Sequence, residues 1–218
     1  DRIIAVDTGS TDDTAAILRG AVTTGTIDEV VTADQDTGFG QAVALAIDTA
    51  GRPDEAELAR IVREGLGLAP GVEDESPDDP QLTPEVTVQW VWILHDDSAP
   101  EPEALEGLLL AADTERSADI LGPKLRGWNN QDQLVSVGIT VARSGNLVDG
   151  LEPRELDQGQ HDGRRDVLAV SSAGMLIRRD VWDVLDGFDP TLPFFRDDID
   201  FVRTTYHSLG TLHGRLSA

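Results

Sequence analysis

The sequence predicts an α/β domain built on a mostly parallel sheet flanked by helices, with ligands binding at the carboxyl ends of the strands. Three observations carry this. Apolar runs and helix-forming runs alternate as βαβα through residues 3–50. The most apolar run of the chain, Val86 to Leu94, stops abruptly in His95-Asp96-Asp97. A length of 218 residues, with 39% hydrophobic and 27% charged side chains, suits one folded domain rather than two large ones or a disordered chain.

The first strand is Asp1-Arg2-Ile3-Ile4-Ala5-Val6-Asp7, a carboxylate closing an apolar run. It opens the chain without a Met, so a further strand is expected to precede Asp1. Thr8 to Thr14 is a turn, and the helix after it has Ser10 or Thr11 as cap, with Asp12 and Asp13 complementing its positive end. Asp28 to Ala33 reads as a second strand, Gly38-Phe39-Gly40 as a turn, and Gln41 to Ala50 as a helix with Val43, Ala46 and Ile47 inward. Pro53 opens another helix to about Gly65. Four prolines and an acidic cluster then make 66–84 a mobile loop. Val86 to Leu94, with Trp90 and Trp92, reads as a central strand buried on both faces.

Pro100 and Pro102 lead into a helix with Leu105, Leu108 and Leu109 inward, and Ala118 to Leu121 is a short strand. Leu134 to Ala142 starts a hairpin across Ser144-Gly145-Asn146. Residues 150–166 are polar and glycine-containing, a second flexible loop. Core-like sequence returns at Val167 to Val170, Met175 to Ile177 and the helix around Val181-Trp182, before a turn at Gly187-Phe188-Asp189-Pro190.

Composition removes several functions. With 17 Lys and Arg against 41 Asp and Glu, the formal charge of −24 repels phosphate backbones and anionic lipid alike, so no nucleic-acid partner is expected. The absence of Cys excludes thiolate nucleophiles and Cys-based zinc sites. The four His residues lack HExxH spacing, and neither GxxxxGK[ST], a full GxGxxG after a strand, nor GxSxG occurs. What remains is acidic. Asp7, the pair Asp96-Asp97 and the run Asp197-Asp198-Ile199-Asp200 all follow strands or turns. Carboxylates gathered in a sheet crevice repel one another unless a cation or a shared proton relieves them. Mg²⁺ or Mn²⁺ takes one or two such carboxylates and keeps positions open for phosphate oxygens. Asp12 and Asp13 are explained by the helix start alone. The glycine pair Gly38 and Gly40 permits close backbone approach to a ligand.

Three blocks, in order, carry a family resemblance: Val6-Asp7-Thr8-Gly9-Ser10-Thr11-Asp12-Asp13-Thr14, Leu94-His95-Asp96-Asp97, and Gly187-Phe188-Asp189 through Phe195-Arg196-Asp197-Asp198-Ile199-Asp200-Phe201. Together they resemble the family 2 glycosyltransferases of the GT-A fold, a Rossmann-like sheet, over residues 1 to about 203. The resemblance implies a single domain over 1–218, with a nucleotide-binding half at 1–100 and an acceptor-binding half at 101–218. It implies an inverting transfer of sugar from a UDP- or GDP-sugar donor to a glycan or lipid-linked acceptor, as in cell-envelope polysaccharide synthesis. It further implies Mg²⁺ or Mn²⁺ as cofactor and work in the cytoplasm or at the cytoplasmic face of a membrane, reached through segments outside this chain.

Residue by residue, the resemblance places Asp7 against the base or ribose with Thr8 and Gly9 beside it, Gly38 and Asp96 in the nucleotide site, and Asp97 on the metal. His95 replaces the first Asp of the family's D-x-D and joins the metal set. Asp198 falls on the catalytic base, with Asp200 supporting its loop. Ser172, Ala173 and Gly174 fall where the acceptor pocket is shaped, and His207 or His213 is a further metal candidate. Trp182, at helical spacing with Val181 and Leu185, is expected in the core, and Trp128 at an acceptor. Two other readings compete: a sugar-phosphate nucleotidyltransferase, which lacks its glycine- and lysine-rich opening loop here, and a non-catalytic nucleotide- or glycan-binding domain.

Overall fold

The computed structural model describes residues 2–51, 88–115, 118–141, 147–163, 166–189, 201 and 214–217. Strand β1 (Ile4–Asp7) leads through helix α1 (Thr14–Thr23) to β2 (Glu29–Thr32), which pairs with β1 in parallel, Asp7 opposite Thr32. Helix α1 begins where Asp12 Oδ1 accepts the Thr14 N–H at 3.0 Å. The N-cap is Asp13, without a side-chain capping bond, so the capping expected of Ser10 or Thr11 is not made. Helix α2 (Phe39–Ala50) packs on β1. It starts two residues earlier than the glycine-flanked turn suggests, since Gly40 lets its first turn press on Phe188: a Cβ there would lie 2.8 Å from Phe188 Cβ.

The chain then forms β3 (Trp90–Trp92), α3 (Ala104–Thr114), β4 (Ile120–Pro123), β5 (Leu125–Arg126) and β6 (Leu134–Ser136). After these come β7 (Thr140–Val141), β8 (Leu147–Val148), β9 (Asp166–Val167), β10 (Leu176–Arg178), α4 (Arg179–Leu185) and β11 (Gly214–Ser217). Five of them make one sheet in the order β3-β10-β4-β11-β9. Here the mostly parallel expectation is corrected. Strand β10 is antiparallel to both β3 and β4, and β9 to β11; β4 and β11 are parallel. Strands β3 and β4, joined through α3, run the same way but are not adjacent, and β10 fills the gap between them in the opposite sense.

Pleat alternation splits the core into two layers. Ile120 and Ile177 face one side with Ile93, Met175, Trp182, Phe188, Phe201 and Ile47 of α2. Leu121 and Leu176 face the other, against Leu108 and Ala112 of α3. Leu109, expected inward, is 40% exposed; Ala112, one turn beyond Leu108, takes the inner position. Trp182 is buried as its helical spacing predicts, with Phe188 5.1 Å away edge-on. The Trp90–Trp92 strand is only half-buried, not enclosed on both faces.

The hairpin forms with Thr140 opposite Val148, but the run expected as one strand is split: Leu134–Ser136 pairs with β5 and only Thr140–Val141 enters the hairpin. The polar segment expected to be flexible is instead tied down through 150–163. Leu156 bridges to Gln133, Lys124 Nζ binds Asp157 at 2.9 Å and Asp162 at 2.6 Å, and His161 pairs with Glu155 at 2.8 Å. The helix from Pro53, the loop 66–84, the acidic run at 197–200, His207 and His213 lie outside the described residues. No helix among the described residues is long and apolar enough to cross a membrane.

Candidate functional site

Asp7 ends β1 with its side chain buried, one of the few buried polar groups among the described residues. Its Oδ1 accepts the Ser10 N–H at 2.9 Å. Hydrogen bonds from Ser10, side chain and backbone, hold this carboxyl below the usual range despite its burial, so it is ionised at neutral pH. The tight return from Asp7 to Ser10 runs through Gly9, at φ 77°. The Gly9 carbonyl accepts Gln35 Nε2 at 2.8 Å, which ties the turn after β1 to the loop after β2. Thr8 stands exposed beside them.

That second loop delivers Gly38 and Phe39. Because β1 and β2 are parallel and α2 follows β2, the N-terminus of α2 opens at the same sheet edge as Asp7. The Phe39 ring meets His95 edge-on, centroids 4.6 Å apart, and Phe188 at 5.9 Å. His95 is thus held where the apolar strand ends. Its Nε2 lies 3.0 Å from Ser172 Oγ in the 3-10 turn before β10. Its backbone closes a turn with Ser98, whose N–H and hydroxyl both donate to the His95 carbonyl, at 3.1 and 2.8 Å. Asp96 and Asp97 occupy the tip of that turn and are exposed.

The structure therefore brings together His95, Phe39 at the start of α2, Ser172 and Phe188, and sets Asp7, Thr8 and Gly9 at the end of the β1–β2 sheet where α2 begins. As donors for a divalent ion, the Asp96 and Asp97 carboxylates fit: hard oxygens, exposed, with room for water or phosphate to complete the shell. His95 Nε2 is committed to Ser172. Among the described residues no three His, Asp or Glu gather as a cage. Sequence reasoning missed Phe39, Gln35 and the pairing of Ser172 with His95. Phe39 was hidden because glycines on both sides read as a turn; the other two are contacts distant in sequence and have no local signature. Trp128 is 74% exposed, free to meet a ligand.

A family model described as glycosyltransferase like family 2 matches residues 1–211. The chain belongs to that family. The resemblance carried by the three blocks is thereby confirmed, and glycosyl transfer is the activity this membership supports. No curated protein matches. Among solved structures, the crystal structure of A197 from STIV is similar at 11% identity with a TM-score of 0.46, over 99% of this chain and 81% of the other.

Proposed function

We propose that this family 2 domain moves a sugar from a nucleotide diphosphate donor to a hydroxyl of a glycan or lipid-linked acceptor, with inversion at the anomeric carbon. The observation that carries the reading is the buried Asp7 at the carboxyl end of β1 and the exposed Asp96-Asp97 turn after β3, linked through the start of α2, where Phe39 meets His95. Asp7 is the acceptor for base N–H or ribose hydroxyl groups, and Thr8, Gly9 and Gly38 offer a close backbone wall. Asp97 with Asp96 would hold Mg²⁺ or Mn²⁺. Bound there, such an ion supplies charge neutralisation for the departing diphosphate. His95 acts by bracing the turn between Phe39 and Ser172, leaving the carboxylates to face the ion. Asp198 takes the proton from the attacking acceptor hydroxyl as the new glycosidic bond forms and the bond to the diphosphate breaks. One base suffices for inversion, and no covalent nucleophile is needed.

Calorimetric titration with UDP and GDP, with and without Mn²⁺, tests this. Metal-dependent nucleotide binding that disappears in Asp97→Ala is expected. Asp198→Asn should keep that binding and lose about 10²–10⁴-fold in turnover, the usual share of a general base. Nucleotide binding without any turnover by the wild type would favour a non-catalytic domain, and no binding at all would overturn the site.

A further inference from the structure

Among the described residues, the turn after β1 is held from outside by one side chain. Within that turn the Ser10 N–H returns to Asp7 Oδ1 at 2.9 Å, a bond that ties the turn only to itself. The hydrogen bond that reaches it from elsewhere is Gln35 Nε2 donating to the Gly9 carbonyl at 2.8 Å; no other comes to Thr8, Gly9 or Ser10 from another element among the described residues. Close contact accompanies it. A Cβ on Gly9 would lie 2.7 Å from Gln35 Cγ and 3.3 Å from the Gln35 backbone nitrogen, so the stem of the glutamine rests against bare backbone while its amide grips the carbonyl.

Gln35 itself stands on a fixed base. The Ala33 N–H carries the β1–β2 ladder on to the Asp7 carbonyl at 2.9 Å, and the Thr37 N–H closes a turn on the Asp34 carbonyl at 3.0 Å. Next along the chain, the Gly38 N–H meets Gln41 Oε1 at 3.2 Å where α2 begins. Backbone bonds on both sides of Gln35 thus anchor it, and its side chain passes that order to a turn with no other external tie. Gln35 is exposed, so its amide satisfies no buried group and fills no core position. What the contact fixes is the course of the backbone between Asp7 and Ser10. Ser10, whose N–H and side chain keep the Asp7 carboxyl ionised, sits directly after the carbonyl that Gln35 holds.

We infer that Gln35 is a positioning residue: by clamping Gly9 it holds the Asp7–Ser10 turn in the shape that receives a nucleotide, and it acts through that turn rather than on the ligand. The nucleotide half of this statement rests on the glycosyl-transfer reading; the clamp does not. Two variants of the whole chain test it. Gln35→Met keeps a stem against Gly9 and removes the donor, whereas Gln35→Ala removes both. In each, without ligand, the Ser10 amide should exchange about fivefold faster by hydrogen-exchange NMR, the net share of one hydrogen bond, while Ile120 and Ile177 keep their protection. Affinity for UDP or GDP, whichever the wild type binds by calorimetry, should fall by about the same factor with the thermal midpoint little moved. Ser10 exchange at the wild-type rate in Gln35→Met would overturn the clamp, since contact alone would then hold the turn; a lower nucleotide affinity beside that unchanged exchange would assign Gln35 to direct ligand contact instead. Faster Ser10 exchange with unchanged affinity would overturn the positioning role and leave a structural tie. A wild type that binds neither nucleotide, with faster exchange in both variants, would remove the transferase reading and leave the clamp standing.

Discussion

At Gly9 the backbone holds φ 77°, and a Cβ would meet Gln35 Cγ at 2.7 Å. An L-residue there costs about 1–2 kcal/mol from the left-handed conformation alone. Gly9→Ala should therefore lower stability by at least that order in denaturant unfolding, and weaken nucleotide binding by loosening the turn that aims Asp7. Ser172→Ala removes the partner of His95 Nε2; we expect metal-dependent nucleotide affinity to fall while the thermal midpoint moves little, read by calorimetry and circular dichroism. Loss of fold without a change in affinity would show that the contact serves packing only. Much of this was legible one residue at a time. Asp7 and Asp96-Asp97 stand out in the sequence because each closes an apolar run, although Asp7 also has a structural task in accepting the Ser10 N–H. Gln35 gives no such sign, since a glutamine reaching a carbonyl across 26 positions of sequence looks like any surface glutamine.

Secondary-structure elements show a different limit. Apolar, β-branched runs mark where strands lie but are the same read in either direction, so β10 could not declare itself antiparallel by its own residues. The polar residues 150–163 read as loose chain because their order depends on Lys124, far away in sequence. That segment carries a pH dependence. The Glu155 carboxyl is pushed down from 4.5 to about 2 by hydrogen bonds from Gln160, the Glu152 backbone and His161. Lys124 lowers Asp157 in the same sense. Their stabilisation is complete above the unfolded value and is lost as pH falls toward the folded one. Site-resolved hydrogen exchange should show protection in residues 150–163 declining from about pH 4.5 toward 2 while Ile120 and Ile177 stay protected. Equal loss in both places would assign the order to the core instead. For α2, Gly40→Ala should cost about 1–3 kcal/mol by overpacking against Phe188, measured as a shifted urea midpoint.

The whole molecule carries a formal charge of −24, and its self-repulsion opposes compaction. Because screening length shrinks to about 10 Å at 0.1 M salt, raising NaCl from low ionic strength should raise the melting temperature. A flat response would mean that the charge is balanced locally, as it is around Lys124. At this scale the sequence is most informative, since its length, composition and three ordered blocks point to the family, whereas strand direction is not written in them. Strand β11 sits between β4 and β9, yet it is formed by residues 214–217. During synthesis β4 must therefore wait, its edge open, until nearly all of the described chain has emerged, and only then can the sheet close. An open edge of this kind is where strands from other molecules pair. Strand β11 thus acts as a timing element: a ribosome paused before residue 214 presents a nascent chain prone to aggregate, and the emergence of β11 seals that edge.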